Sequence, residues 1–246
     1  MRRTFDHALV TGAAGAIGSA IAARIADEFP RARVTRVDKN ATAGMLAWDL
    51  REPKALEEKW RDATPEAPVD LLVNCAGFME LRSFATTPWE LGMALLDVDL
   101  VSPLRLMSLA VPSMRANRRG AIVNVSSMAG LVPLRGAAFY GAAKAGLAMA
   151  SEIARIDLAP DGVDVVTVYP GPVASDLERR ARAQVPATFA SRAIPTGEPD
   201  ALARAILRAL RHGAPRVIYP PFYAPAFEAL PLARRFTERF SPRPRD

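Results

Sequence analysis

Tyr140 and Lys144 stand four residues apart in a run of helical character, Phe139 to Leu158, so one helical turn places both side chains on a common face. A tyrosine hydroxyl titrates near 10, too high for a base at neutral pH. Lowering that by ~3 units asks for about 4 kcal/mol of preference for the phenolate. One ammonium ~4 Å away, at an effective dielectric near 20, supplies about that much. A second group of residues suits a different task. The turn Thr11-Gly12-Ala13-Ala14-Gly15-Ala16-Ile17-Gly18 follows a short apolar run, His7 to Thr11, and leads into the helical stretch Ala16 to Phe29. Glycines at such a turn let backbone approach a pyrophosphate, whose charge is stabilised by the helix N-terminus. Asp38 follows Gly18 by 20 residues and closes the next apolar run. A carboxylate there accepts hydrogen bonds from ribose hydroxyls and repels a 2′-phosphate, which predicts NAD; the adjacent Lys39 leaves NADP open. The plainer alternative is that Asp38 only opens the turn Asp38-Lys39-Asn40.

The elements that must position these residues alternate from the start. Strands are expected at His7–Thr11, Arg33–Val37, Met45–Trp48, Val69–Val73, Ala121–Val125, Val163–Val168 and Pro215–Tyr219, with helices between them. A long helical stretch from Trp89 to Asn117 contains Pro103 and Pro112 as expected kinks. Continuous apolar strands separated by helices imply a parallel sheet covered on both faces, hence one α/β domain of doubly wound, Rossmann type over residues 1–246. Two segments depart from the alternation. Residues 172–198 lack clear periodicity and form a candidate lid, and the tail 220–246 is proline-studded and basic, with a helical stretch around Ala226 to Phe240.

The ordered motifs resemble those of the short-chain dehydrogenase/reductase family from Ala8 to about Tyr219. The family's glycine motif falls on Thr11 to Gly18, with Ala16 where the family has its middle glycine. Its Asn-Asn-Ala-Gly turn is similar to Asn74-Cys75-Ala76-Gly77, and its acidic residue near adenine to Asp49, followed by Leu50. Its Tyr-x-x-x-Lys pair matches Tyr140 and Lys144, and its serine matches Ser127, 13 residues before Tyr140. Tyr169-Pro170-Gly171-Pro172-Val173-Ala174-Ser175 resembles the segment that contacts nicotinamide. The resemblance implies hydride transfer between a nicotinamide cofactor and a secondary alcohol or ketone, with Ser127 orienting the substrate oxygen. It implies cofactor contacts from Gly12, Gly15, Ala16, Ile17, Gly18, Asp38, Asp49, Leu50, Asn74, Ala76, Gly77, Tyr140, Lys144, Pro170, Gly171, Val173 and Ser175. The family's fourth catalytic residue is an asparagine, and Asp99 stands in its place. A carboxylate there either takes over a water relay to Lys144 or pairs with Lys144 and reduces its field on Tyr140. The substrate pocket is expected around Met79, Glu80, Met128 to Pro133, Phe139 and the lid.

Composition bounds the remaining possibilities. Half of the 246 residues are hydrophobic and the formal net charge is +6, with 28 arginines and four lysines. The arginines are scattered along helical stretches, with small clusters at Arg115–Arg119, Arg179–Arg182 and Arg234–Arg245, a pattern that does not suggest nucleic-acid binding. One cysteine, Cys75, excludes an intrachain disulfide and is read as packing, not as a nucleophile; two histidines exclude a three-histidine metal centre. No apolar run approaches ~18 residues and the N-terminus leaves no room for a signal peptide, so a cytoplasmic protein is expected. Bulky Leu104, Met107, Leu147 and Met149 beside small Ala142, Ala143 and Ala148 suggest a second buried helix face, hence a homodimer or homotetramer. Two other functions remain open: a nucleotide-binding protein disabled by Asp99, and a membrane-surface protein that docks through its basic tail.

Overall fold

A computed structural model describes residues 4–64, 67–186 and 195–240. Seven parallel strands form one sheet in the order β3-β2-β1-β4-β5-β6-β7. They are β1 (His7–Thr11), β2 (Arg33–Asp38), β3 (Leu46–Ala47), β4 (Leu71–Asn74), β5 (Gly120–Val125), β6 (Val163–Pro170) and β7 (Arg216–Tyr219). The connecting helices are α1 (Ala16–Glu28), α2 (Leu56–Ala63), α3 (Trp89–Leu96), α4 (Ser102–Ala116), α5 (Ala138–Leu158), α6 (Asp176–Ala183) and α7 (Pro199–His212). The tail contributes α8 (Ala224–Glu228) and α9 (Leu230–Phe240), so the single helical stretch expected there is broken at Ala229.

Strands β1, β4 and β5 are buried throughout, because a crossover helix must lie on a sheet face and both faces are used. One core joins Val10, Val73, Val123 and Val168 to Ile21, Ile25, Leu202 and Ile206 of α1 and α7. The other joins Leu9, Leu72 and Ile122 to Leu56, Trp60, Leu106, Met107 and Met114 of α2 and α4. Met107 and Leu147 are therefore spent inside the chain and are not available to a partner, a correction to the expected second face; Leu104 and Met149 remain exposed. Buried side chains from strands and helices on each face supply the main favourable free energy, at about 25 cal/mol per Å² of apolar surface removed from water.

The long central helix is interrupted just before the first of its prolines, by a π-helical turn. Asp97–Val101 is a π-helical turn between α3 and α4, in which the Ser102 N–H donates to Asp97 O five residues back. Pro103 lies in the first turn of α4 and has no N–H to give to a carbonyl four residues earlier, so the regular ladder cannot run through this point. The π turn absorbs the mismatch and rolls Asp99 into the interior. No described helix is long and apolar enough to cross a membrane.

Candidate active site

The sequence-selected residues converge outside the carboxyl ends of β1, β4, β5 and β6. This is the crevice where strand order reverses in a doubly wound sheet and where ligands of such folds bind. Gly12 ends β1 with φ +70°, a left-handed conformation that favours glycine, and a Cβ there would stand 2.7 Å from Ala76 Cα. Gly18 is equally constrained, since its Cβ would stand 2.1 Å from Gly12 O. Ala16 is the first residue of α1 and its methyl is exposed, so replacing the family's glycine leaves the turn intact. Gly15 is the N-cap of α1, with no side-chain cap and no acidic residue in the first turn. Among the described residues the first N–H groups of α1 thus have no anionic partner, which fits a pyrophosphate at that end. Ile17 turns inward and packs on the core.

Asp38 closes β2, and its carboxylate accepts from Ala14 N (3.1 Å) and Asn40 N (2.9 Å), which fixes it beside the glycine turn. Next to it a cavity of about 450 Å³ is lined by Lys39, Asn40, Ala47, Asp49, Arg51 and Lys59. Asp49 is engaged there by Arg51, whose hydrogen bonds hold its carboxyl down at about 2, and Leu50 is buried with its carbonyl accepting from Ser102 Oγ at 2.6 Å. The gathering of three cations around one carboxylate leaves no mark on the sequence, because Arg51 and Lys59 are brought to Lys39 only by the placement of β3 and α2.

Asn74 is turned away from the crevice. Its amide donates to Asn124 Oδ1 (2.8 Å) in a buried network that continues from Asn124 Nδ2 to Ser151 Oγ (2.8 Å) and from there to Leu147 O (2.6 Å). Thr11 Oγ1 accepts from Cys75 N and Ala76 N, both at 3.1 Å, and so shapes the turn after β4. Cys75 packs against the core, and loss of water pushes its thiol up to about 12, so it holds no thiolate.

Ser127 follows β5, where its Oγ caps a short 3₁₀ turn by accepting from Ala129 N (3.1 Å), and it faces the Tyr140 hydroxyl closely enough to favour its ionised form. Tyr140 and Lys144 share the inward face of α5, with Lys144 Nζ 5.8 Å from the Tyr140 ring centroid. Gly130 allows this approach: a Cβ there would stand 2.8 Å from Ala145 N of α5. Lys144 Nζ donates to Val125 O at 3.0 Å and lies 2.9 Å from Asp99 Oδ1, with Asp99 fully buried and Lys144 4% exposed. Phe78 N donates to the other Asp99 oxygen at 3.4 Å. Gly77 makes room for the carboxylate, since a Cβ there would stand 2.4 Å from Asp99 Oδ1. Of the two outcomes open for Asp99, direct pairing with Lys144 is the one found.

The expectation that Lys144 lowers the Tyr140 hydroxyl is reversed, chiefly by burial. Burial raises the Tyr140 hydroxyl above its ordinary value, the Lys144 ammonium pulls it down, and the Asp99 charge raises it again, for a net upward shift. Burial also disfavours the Lys144 ammonium, but Asp99 and Tyr140 more than offset this and raise its pKa. Burial likewise holds Asp99 above the usual carboxylate range. Lys144 still lowers Tyr140, but burial, with Asp99 behind it, outweighs that pull.

Beyond Tyr140 the surroundings are apolar. Leu81, Leu95, Ala137 and Ala181 are buried with the ring, and Met79, Leu134, Phe139 and Val185 pack around them. Phe139 lies under Gly92, whose Cβ would stand 2.5 Å from the ring. Gln184 Oε1 accepts from Leu81 N at 2.9 Å and ties the end of α6 to the loop after β4. Ala181, Gln184 and Val185 fall within the expected lid, whose α6 folds over the site, whereas Leu81 carries no sequence signal of its own. Ser175 caps α6, accepting from Glu178 N (3.1 Å) and donating to Val173 O (3.0 Å). Val173 bridges to Gly197, Pro170 ends β6, and Gly171 lies beneath the Tyr223 ring. Of the expected lid, residues 187–194 lie outside the described part, as do residues 241–246 of the tail.

A parallel seven-stranded sheet with a glycine turn at its switch point defines a Rossmann-type dinucleotide-binding architecture. The family model described as short chain dehydrogenase matches residues 6–186, and the chain belongs to that family of oxidoreductases. An uncharacterized oxidoreductase of Myxococcus xanthus is 33% identical over 188 residues, covering 71% of this chain and 74% of the relative. A short chain dehydrogenase of Burkholderia cenocepacia, solved in complex with NADP, superposes with TM-score 0.79 at 24% identity over 98% of this chain and 99% of the other. A 4-hydroxyisoleucine dehydrogenase complexed with NADH superposes with TM-score 0.75 at 20% identity over 87% and 96%.

Proposed function

We propose that the protein interconverts a secondary alcohol and a ketone by hydride transfer with a nicotinamide dinucleotide, using Ser127, Tyr140 and Lys144. The observation that carries this reading is the meeting of those three side chains, from two separate elements, at the sheet edge that also bears the glycine turn. When bound, the nicotinamide supplies the hydride acceptor or donor. The chain's own residues handle the proton. In oxidation Tyr140 as phenolate takes the hydroxyl proton while the carbinol hydride leaves; in reduction its hydroxyl returns a proton to the carbonyl oxygen. Ser127 donates to that oxygen and orients it. Lys144 holds the phenolate by charge, and Asp99 limits how strongly it does so.

Gly12, Gly15, Ala16, Ile17 and Gly18 would hold the pyrophosphate by backbone, and Asp38 the adenosine ribose. Asp49, Leu50, Ala76 and Gly77 would flank the adenosine side and the bridge, and Pro170, Gly171, Val173 and Ser175 the nicotinamide side. Asn74 supports the turn from inside. Asp38 favours NAD. The cavity with Lys39, Arg51 and Lys59 supports a second reading, NADP, because those cations would meet a 2′-phosphate. The apolar wall around Tyr140 favours a substrate whose carbonyl or carbinol sits on an apolar skeleton. The described part of the expected lid, residues 172–186 and 195–198, would cover it, and the chain would work as a homodimer through α4 and α5.

A substrate screen of alcohols and ketones followed by absorbance of the reduced nicotinamide tests the reaction. Tyr140→Phe should lower turnover by about 10²–10⁴-fold while NADH binding, read by fluorescence, stays within twofold. Turnover at the original rate in that variant would overturn the assignment of roles. In the same assay NAD(H) should bind more tightly than NADP(H), and Asp38→Ala should narrow the gap. A preference for NADP(H) that is lost in Lys39→Ala would establish the second reading instead.

A further inference from the structure

The helix α9 presents an apolar ridge that the other described residues do not cover. Leu230, Ala233 and Thr237 are half-buried, whereas Leu232, Phe236 and Phe240, spaced four residues apart, are 66%, 59% and 55% exposed. The Phe236 and Phe240 rings lie 4.8 Å apart and make the ridge continuous. At about 100° per residue, Arg235 and Arg239 fall along one border of it. Neither arginine has an ion-pair partner among the described residues, whereas Arg24, Arg105, Arg115, Arg119 and Arg216 are all paired with carboxylates. The helix is tied to the body by Arg234 Nε donating to Leu131 O (3.0 Å) and Arg135 Nη2 donating to Glu238 O (3.1 Å). Leu131 and Arg135 belong to the loop that follows Ser127, so α9 lies against one wall of the candidate site.

We propose that α9 rests on an anionic lipid surface, with Leu232, Phe236 and Phe240 in the headgroup–acyl boundary and Arg235 and Arg239 at the lipid phosphates. An exposed apolar face bordered by arginines is the form an interfacial helix takes. The charges select lipid over a second copy of this chain, because a two-fold contact through the ridge would bring Arg235 and Arg239 close to their own copies. Among the described residues, exposure of the ridge sets aside a contact with the chain's own body. Docking this way places the wall of the site beside the bilayer, where an apolar substrate would be dissolved.

The test is sedimentation of the full chain with phosphatidylglycerol-rich vesicles and with pure phosphatidylcholine vesicles. Binding to the first should exceed binding to the second by about tenfold or more and fall with salt. Arg235→Glu with Arg239→Glu should weaken binding to the anionic vesicles by about 25-fold or more. Leu232→Ser with Phe236→Ser should abolish it with no change in charge, and NADH binding reports that this variant is folded. Phe236→Trp adds an indole whose emission should shift to the blue on anionic vesicles, relative to the unmodified chain. Unshifted emission, or full vesicle binding by the serine variant, would overturn the proposal. So would a wild-type chain that ignores vesicles but changes from dimer to monomer with the serine substitutions, which would assign the ridge to a second copy. None of these readouts depends on turnover, so their failure is separable from that of the proposed reaction.

Discussion

Asp99 is one carboxylate in place of one carboxamide, and its effect is electrostatic. At 2.9 Å from Lys144 Nζ in a dry site its charge opposes the ammonium's pull on Tyr140, adding to the larger upward push of burial. The charged and titratable groups facing this point are Lys144 and Tyr140 of α5, Asp99 of the π turn and Cys75 of the turn after β4. Asp99→Asn keeps the shape and removes the opposing charge, so the phenolate should form at lower pH. The rising limb of the pH–rate profile for alcohol oxidation should move toward acid, with a gain on the order of tenfold at pH 7 and little change in KM. A profile that stays in place would mean that Asp99 does not act on Tyr140 through charge. Gly77 belongs to the same argument. It contributes only the absence of a side chain, and the Asp99 carboxylate fills that space.

Among the elements, β1 and β2 are pinned by a buried histidine that takes no part in the site. His7 Nδ1 lies 2.9 Å from Ala67 O and Nε2 2.8 Å from Thr35 Oγ1. A neutral ring satisfies both, donating from Nδ1 and accepting the Thr35 hydroxyl at Nε2. Burial lowers the His7 pKa below its ordinary 6.5. The unfolded chain therefore takes up the proton first, so stability is full above pH 6.5 and declines as the pH falls below it. The melting temperature should drop over that range by about 2–4 °C for each kcal/mol lost. His7→Gln should be less stable at neutral pH and should lack that component of the pH dependence. If the two proteins show the same slope between pH 7 and pH 5.5, His7 is not its source. The π turn is the other local device, since it lets one helical stretch bury Asp99 and also carry Pro103.

For the whole molecule, the exposed stripe on α5 is the feature with a consequence for assembly. Met149, Ile153 and Ile156 are 63%, 51% and 63% exposed along one face, with Leu104 of α4 and Val101 of the π turn also exposed. Burying this surface against its own copy would make a closed, two-fold pair of helices. Light scattering at micromolar concentration should give twice the 26.5 kDa chain mass, and Ile153→Glu should return a monomer that still binds NADH. A wild-type chain of 26.5 kDa would refute the dimer. The arginine excess also has a molecular explanation. Pairs such as Arg24–Asp200, Arg115–Asp161 and Arg216–Glu152 join separate elements across the surface. Each contributes little on its own, and the arginines in them serve the fold and not a nucleic-acid surface.

The alternation of buried strands with helices, the glycine turn and the order of the motifs are legible in the sequence, because each depends on local periodicity or on a backbone conformation that few residues adopt. Tyr140 and Lys144 pair by sequence spacing alone, since one helical turn fixes their separation. The strands are legible to within a few residues at each end, whereas the tail reads as one helix and folds as two. Tertiary structure alone decided three matters. It chose pairing over relay for Asp99, because whether a carboxylate reaches an ammonium depends on how the π turn rolls it and on the space left by Gly77. It put Met107 and Leu147 inside and left Met149 outside, because apolar character does not say which helix face the sheet will claim. It gathered Lys39, Arg51 and Lys59 around one cavity, because charges distant along the chain meet only when β3 and α2 are laid beside β2.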